Sequence, residues 1–261
     1  MIYGDAQSSF DLRFRLLGFP VRVSPYFFLV SGLFGSGLAL RLGWQFLVIW
    51  IVLSFISILL HELGHALAYR VFGSPAEITL HGFGGYAQGY RLPKSWQRMI
   101  VAFAGPVAQL LLAGAVWGSA LLTNWPVQND YTKAIYLFLM WMNIFWPLIN
   151  LVPILPLDGG NILREVLAML RIRNPDAAAH AVSVGFAGLL ALRGITALLN
   201  MRIPFIDDVL PIDFYPGPYL TFWLILLAIE NVQMYQRFRQ RGPVDYYDGG
   251  YNDDRPPWRR R

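Results

Sequence analysis

The stretch Leu60-His61-Glu62-Leu63-Gly64-His65-Ala66 sets two imidazoles and a carboxylate into a strongly apolar run. On an α-helix, residues four apart share a face, so His61 and His65 can aim ring nitrogens at one ion while Glu62 sits beside them. Two His ligands and an adjacent carboxylate are the parts of a zinc site with its general base. The chain holds only four His and four Glu among 261 residues, so a shuffled sequence gives this spacing roughly once in a thousand tries. The plainer alternative is a pair of buried, hydrogen-bonded histidines with an unrelated carboxylate. It is disfavoured because an ionisable group among membrane-spanning residues is costly and marks function by default.

A second informative stretch runs Asn150-Leu151-Val152-Pro153-Ile154-Leu155-Pro156-Leu157-Asp158-Gly159-Gly160. Two prolines three apart do not fit a regular helix interior, and the glycine pair frees the backbone further, so the chain leaves its helix before Asp158. Irregular backbone at membrane depth is tolerated where it is buried in protein or lines a cavity. Asp158 is therefore a candidate third metal ligand, with an N-cap for a following helix over 162–173 as the alternative. Asn150 is a candidate donor to a substrate carbonyl or developing oxyanion, with helix–helix hydrogen bonding as its alternative.

The elements that must position these groups follow from composition. Hydrophobic residues make up 56% of the chain and charged residues 14%, the balance of an integral membrane protein rather than a soluble domain. We read an all-α polytopic protein with about six transmembrane helices, over roughly 25–42, 43–72, 98–123, 133–151, 177–199 and 218–235. Together these make one membrane-embedded domain over 1–236, followed by a basic, disordered tail over 237–261. The first 24 residues read as a weakly amphipathic lead, not a cleavable signal peptide.

Alternation over 77–81, a glycine-rich turn at 82–85 and a return over 86–90 predict a small cytoplasmic-side β-hairpin. It either pairs with an extended substrate or simply connects two spans. His81 belongs to this hairpin rather than to the metal site. A break is predicted in the third span at Ala104-Gly105-Pro106-Val107-Ala108-Gln109, and close helix packing accounts for most of it. Asp207, Asp208 and Asp213 read as solvated loop carboxylates.

Charge orients the chain. With a cytoplasmic N-terminus, seventeen of the twenty-one Lys and Arg residues fall on the cytoplasmic side, as the positive-inside rule requires. Both termini are then cytoplasmic, and the second and fourth spans end at the same face. The net charge of +5 flanks apolar runs instead of forming a stripe, which argues against nucleic acid. The absence of cysteine removes disulfides, iron–sulfur ligation and thiol nucleophiles. Two imidazoles, a carboxylate and an open coordination position then describe one catalytic Zn2+ and hydrolysis of an amide, with Glu62 moving the proton.

These residues resemble the site-2 protease family, the intramembrane zinc metalloproteases. His61-Glu62-Leu63-Gly64-His65 matches its first motif, and Asn150-x-x-Pro153-x-x-Pro156-Leu157-Asp158-Gly159-Gly160 its second. The resemblance implies that His61, His65 and Asp158 bind zinc and that Glu62 is the catalytic acid and base. It implies a single-span membrane protein as substrate, cut near the cytoplasmic face of the bilayer in regulated intramembrane proteolysis. The chain departs from members that carry a PDZ insert or a CBS pair, and a compact form with neither is expected. A short chain without a targeting segment is expected in a prokaryotic inner membrane. The rival from another class is a non-catalytic membrane binding protein that keeps the fold. A transporter is a weaker rival, since no internal repeat is visible.

Overall fold

The computed structural model describes residues 10–82, 84–90, 92–201 and 217–240. Asp207, Asp208, Asp213, Phe83 in the hairpin turn and the tail beyond residue 240 lie outside the described residues. The chain divides into two compact units, residues 1–151 and 152–261.

The first unit begins with two strands, β1 (Leu12–Leu16) and β2 (Phe19–Val23), where the sequence predicts only an amphipathic lead. Strict alternation explains the strand: Phe19, Val21 and Val23 are buried while Pro20 and Arg22 turn outward. Helices α1 (Pro25–Leu42) and α2 (Trp44–Val71) follow. The predicted hairpin forms as β3 (Ala76–His81) and β4 (Gly84–Gly89). It is half of a four-stranded sheet in the order β1-β2-β3-β4, in which β2 and β3 run parallel and the outer pairs antiparallel. The α1–α2 helix pair is the crossover that a parallel pair demands. Phe19, Val21, Val23, Ile78 and Leu80 of the sheet share one core with Phe27 of α1 and with Ile58, Leu63 and Ala66 of α2. That shared core seats the sheet against the helix carrying His61 and His65.

Helices α3 (Ser95–Thr123) and α4 (Asp130–Asn150) complete the unit, with a short 3-10 turn at Trp125–Val127 between them. Against expectation, α3 does not break at Gly105-Pro106 and runs continuously through Pro106. Small residues accompany this: a β-carbon on Gly64 of α2 would fall on the Ala104 carbonyl, so the two backbones are in direct apposition, the close packing that membrane helices build from small residues.

The second unit opens on the irregular stretch 152–157 and continues with α5 (Asp158–Met169), α6 (Pro175–Leu198) and α7 (Pro218–Gln240). The helix expected over 162–173 thus starts four residues earlier, because Gly159 and Gly160 fit inside its tightly packed first turn. Leu157, not Asp158, is the N-cap; Asp158 is the first helical residue. Ala187 and Ala191 of α6 receive Leu224 and Leu227 of α7, with Ile154 and Leu157 in the same cluster.

Among the described residues, four helices are long and apolar enough to cross a membrane: α2, α3, α4 and α6. The protein is mostly helical and membrane-spanning, as composition predicts. Helices α1 and α7 form over two further predicted spans without meeting that measure. In α7 the reason is visible in the sequence, where Glu230, Asn231, Gln233, Gln236, Arg237 and Arg239 make its second half polar.

Candidate metal centre

His61, Glu62 and His65 lie in the C-terminal half of α2 at 3%, 4% and 7% exposure. Helical spacing brings the two imidazoles together as predicted, with their Nε2 atoms 3.1 Å apart. What the spacing does not predict is how α3 holds them. His65 Nδ1 donates to the backbone carbonyl of Val101 at 2.6 Å, and His61 Nδ1 lies 2.8 Å from Gln109 Oε1. The Gln109 amide nitrogen in turn donates to the Ser57 carbonyl at 3.3 Å. A carbonyl can only accept, so the Gln109 oxygen must face His61 and both Nδ1 atoms carry protons. With each Nδ1 so engaged, Nε2 is the nitrogen that each ring offers to an ion.

Between these two supports on α3 stands Gly105. A β-carbon there would collide with His65 Nε2 and lie 2.8 Å from His61 Nε2. Positions 101, 105 and 109 recur every four residues and form one face of α3. That face supplies a carbonyl, a gap and an amide, in that order.

This donor set fits zinc. Tetrahedral Zn–N bonds of about 2.0–2.1 Å require two ligand nitrogens about 3.3 Å apart, close to the spacing of the two Nε2 atoms. Fixing Nδ1 as a donor is the usual way a metal-binding imidazole is oriented and made more basic.

Glu62 is positioned by the sheet. A β-carbon on Gly85 of β4 would lie 2.6 Å from Glu62 Cγ and 2.8 Å from its Oε1, so only glycine at 85 leaves the carboxylate its place. His81 closes β3, buried, with its ring 5.7 Å from that of Tyr86. Asn150 is the last residue of α4, and its amide turns back on the Trp146 carbonyl at 3.2 Å. In the second unit Asp158 is half-buried at the start of α5. Gln109 was within reach of the sequence, as the one polar side chain between Ile100 and Gly118, fully buried here. A second buried polar contact meets the same serine, where Asn143 of α4 donates to Ser57 Oγ at 2.9 Å.

A membrane helix bundle with a small sheet and a buried histidine pair defines a class of membrane metalloproteins. The overall fold is that of a solved Site-2 Protease from Methanocaldococcus jannaschii, with a TM-score of 0.55, 21% identity, and coverage of 90% of this chain and 96% of that one. The model of peptidase family M50 matches residues 49–133 and 125–192. In sequence, the chain is 33% identical over 227 residues to a protein of Synechocystis sp. provisionally named a zinc metalloprotease, covering 82% of this chain and 55% of that one. It is 27% identical over 200 residues to a zinc metalloprotease of Methanocaldococcus jannaschii, covering 74% and 58%. The chain belongs to peptidase family M50. It spans little more than half the length of these curated relatives.

Proposed function

We propose that the chain is a zinc-dependent intramembrane endopeptidase that hydrolyses a peptide bond in or near a transmembrane segment of a single-span membrane protein. The observation that carries this is the His61–His65 pair, with Nε2 atoms 3.1 Å apart and both Nδ1 atoms engaged by α3. In this reading His61, His65 and Asp158 hold one Zn2+, with Asp158 assigned from its place in the second motif. The ion supplies Lewis acidity, polarising the scissile carbonyl and drawing the pKa of water toward about 7. Glu62 accepts the proton of the attacking water and delivers it to the leaving amine. Asn150 donates its amide to the substrate carbonyl oxygen, which requires it to swing away from Trp146.

The substrate segment unwinds locally, because a helix shields its own amides. The edge strand β4, whose Gly85 lies against Glu62, then receives it by strand addition. N-methylation of alternate amides in a model substrate peptide tests this step: one register should abolish cleavage and the other preserve it, and preservation in both contradicts strand addition. We further propose that α1 and α7 join the four candidate spans to give six crossings, with both termini cytoplasmic, in a prokaryotic inner membrane. The cut near the cytoplasmic face then serves regulated intramembrane proteolysis.

The test is cleavage of single-span proteins by the purified chain in detergent, before and after zinc removal and restoration. Cleavage that needs zinc and falls by about 10²–10⁴-fold in Glu62→Gln is the expected result. Zinc bound at full stoichiometry without cleavage, or a Glu62→Gln variant as fast as wild type, instead identifies a non-catalytic binding protein.

A further inference from the structure

We infer that Asn231 on α7, with Ser183 and His180 on α6, is the mount that fixes Asp158 for metal binding. This rests on the ligand role proposed above for Asp158. The irregular stretch before α5 has no helical or sheet ladder to hold it, so its backbone groups must find partners one by one. At Leu155 both partners are side chains. The Leu155 N–H donates to Ser183 Oγ at 2.9 Å, and the Leu155 carbonyl accepts from Asn231 Nδ2 at 2.7 Å.

Each partner is itself held. The Ser183 hydroxyl donates to the Ala179 carbonyl at 2.8 Å. Asn231, only 1% exposed, also donates to the Leu227 carbonyl at 2.8 Å. Its nitrogen is thereby committed to two carbonyls, so its oxygen must face His180, whose Nδ1 donates at 2.7 Å. The His180 ring stacks on Phe238 with centroids 5.4 Å apart and planes 16° from parallel. Three separate contacts thus define one orientation of the Asn231 amide.

The clamp reaches Asp158 through Gly160. A β-carbon on Gly160 would fall on the Leu155 backbone nitrogen and lie 2.5 Å from the Ile154 carbonyl carbon, so the first turn of α5 is seated on the clamped backbone. The Leu157 N–H donates to the Ile154 carbonyl at 2.8 Å, and the Asn161 amide to the Pro156 carbonyl at 3.0 Å. Asp158 therefore lies between a residue pinned by α6 and α7 and a residue packed against that pin. Asn231 lies beyond the residues that the family model matches.

Asn231 and Ser183 are positioning residues, and zinc affinity of the full chain in detergent, read by chelator competition, tests them. Asn231→Ala should weaken zinc about 10–100-fold, the effect of losing an orienting partner. Ser183→Ala should weaken it by about tenfold or less, and it carries the test if Asn231→Ala does not fold. In an Asp158→Ala background neither substitution should add more than about twofold, because coupled residues are not additive. Gly194→Ala, whose β-carbon would meet Thr221 of α7 ten or more residues along from Ser183 and Asn231, disturbs α6–α7 packing away from the clamp and should lower Tm and leave zinc affinity unchanged. The mount is overturned if Asp158→Ala weakens zinc but both clamp variants bind it as wild type does. It is equally overturned if they weaken it by the same factor with and without Asp158, or if Gly194→Ala weakens it as much. Unchanged affinity in Asp158→Ala itself overturns the ligand role, and the mount with it.

Discussion

The histidine pair and Asp158 are held in place by opposite means. His61 and His65 ride on a regular helix, and a second regular helix presents Val101, Gly105 and Gln109 to them at four-residue intervals. Asp158 follows seven residues of irregular chain, whose position depends on side chains 28 and 76 residues away in sequence from Leu155. A helix-mounted ligand inherits precision from a repeating hydrogen-bond ladder. A loop-mounted one acquires it from a few individual contacts, each of which a single substitution removes.

The sharpest way to separate the two mounts is to add one methyl to each. Gly105→Ala places a β-carbon on the Nε2 atoms of His65 and His61 and should abolish zinc binding, a loss above about 100-fold, while the melting temperature stays near wild type. Gly160→Ala meets backbone instead of side chains and should lower Tm by several degrees, about 1–3 kcal/mol of overpacking. Metal analysis alongside thermal melts distinguishes them. Equal effects on Tm would erase the contrast between the two mounts.

Smaller changes refine the helix side. Gln109→Leu keeps the volume of the buried amide and removes its oxygen, so zinc affinity should fall about 10–100-fold through His61 alone. Gly85→Ala displaces Glu62 without touching a ligand. Cleavage should drop by about tenfold or more while zinc content stays at one per chain. The smallest effect is expected for Asn143→Ala, which removes the hydrogen bond to Ser57. It should cost about 0.6–2 kcal/mol of stability and leave zinc affinity unchanged, as denaturation in detergent with a parallel zinc titration would show.

This contrast also explains what could be read from the sequence. His61, Glu62 and His65 were legible because helical periodicity converts spacing into proximity. The β3–β4 hairpin was legible from alternation between turn residues. The first two strands were not, since Phe19–Val23 joins the sheet by pairing with β3, more than fifty residues away, and Leu12–Leu16 joins it only through Phe19–Val23. The continuity of α3 through Pro106 was likewise hidden, because the close packing that accompanies it involves the backbone of α2 at Gly64. Gln109 carried a signal, a lone amide in an apolar run. Asn231 carried none, as one of several polar residues in the second half of α7.

The central claim, that the histidine pair holds a catalytic zinc, is tested most directly by counting zinc in the purified chain. The account predicts one zinc per chain in the wild type, none in the His61→Ala, His65→Ala double variant, and one in Glu62→Gln. A double variant that retains one zinc per chain would contradict it.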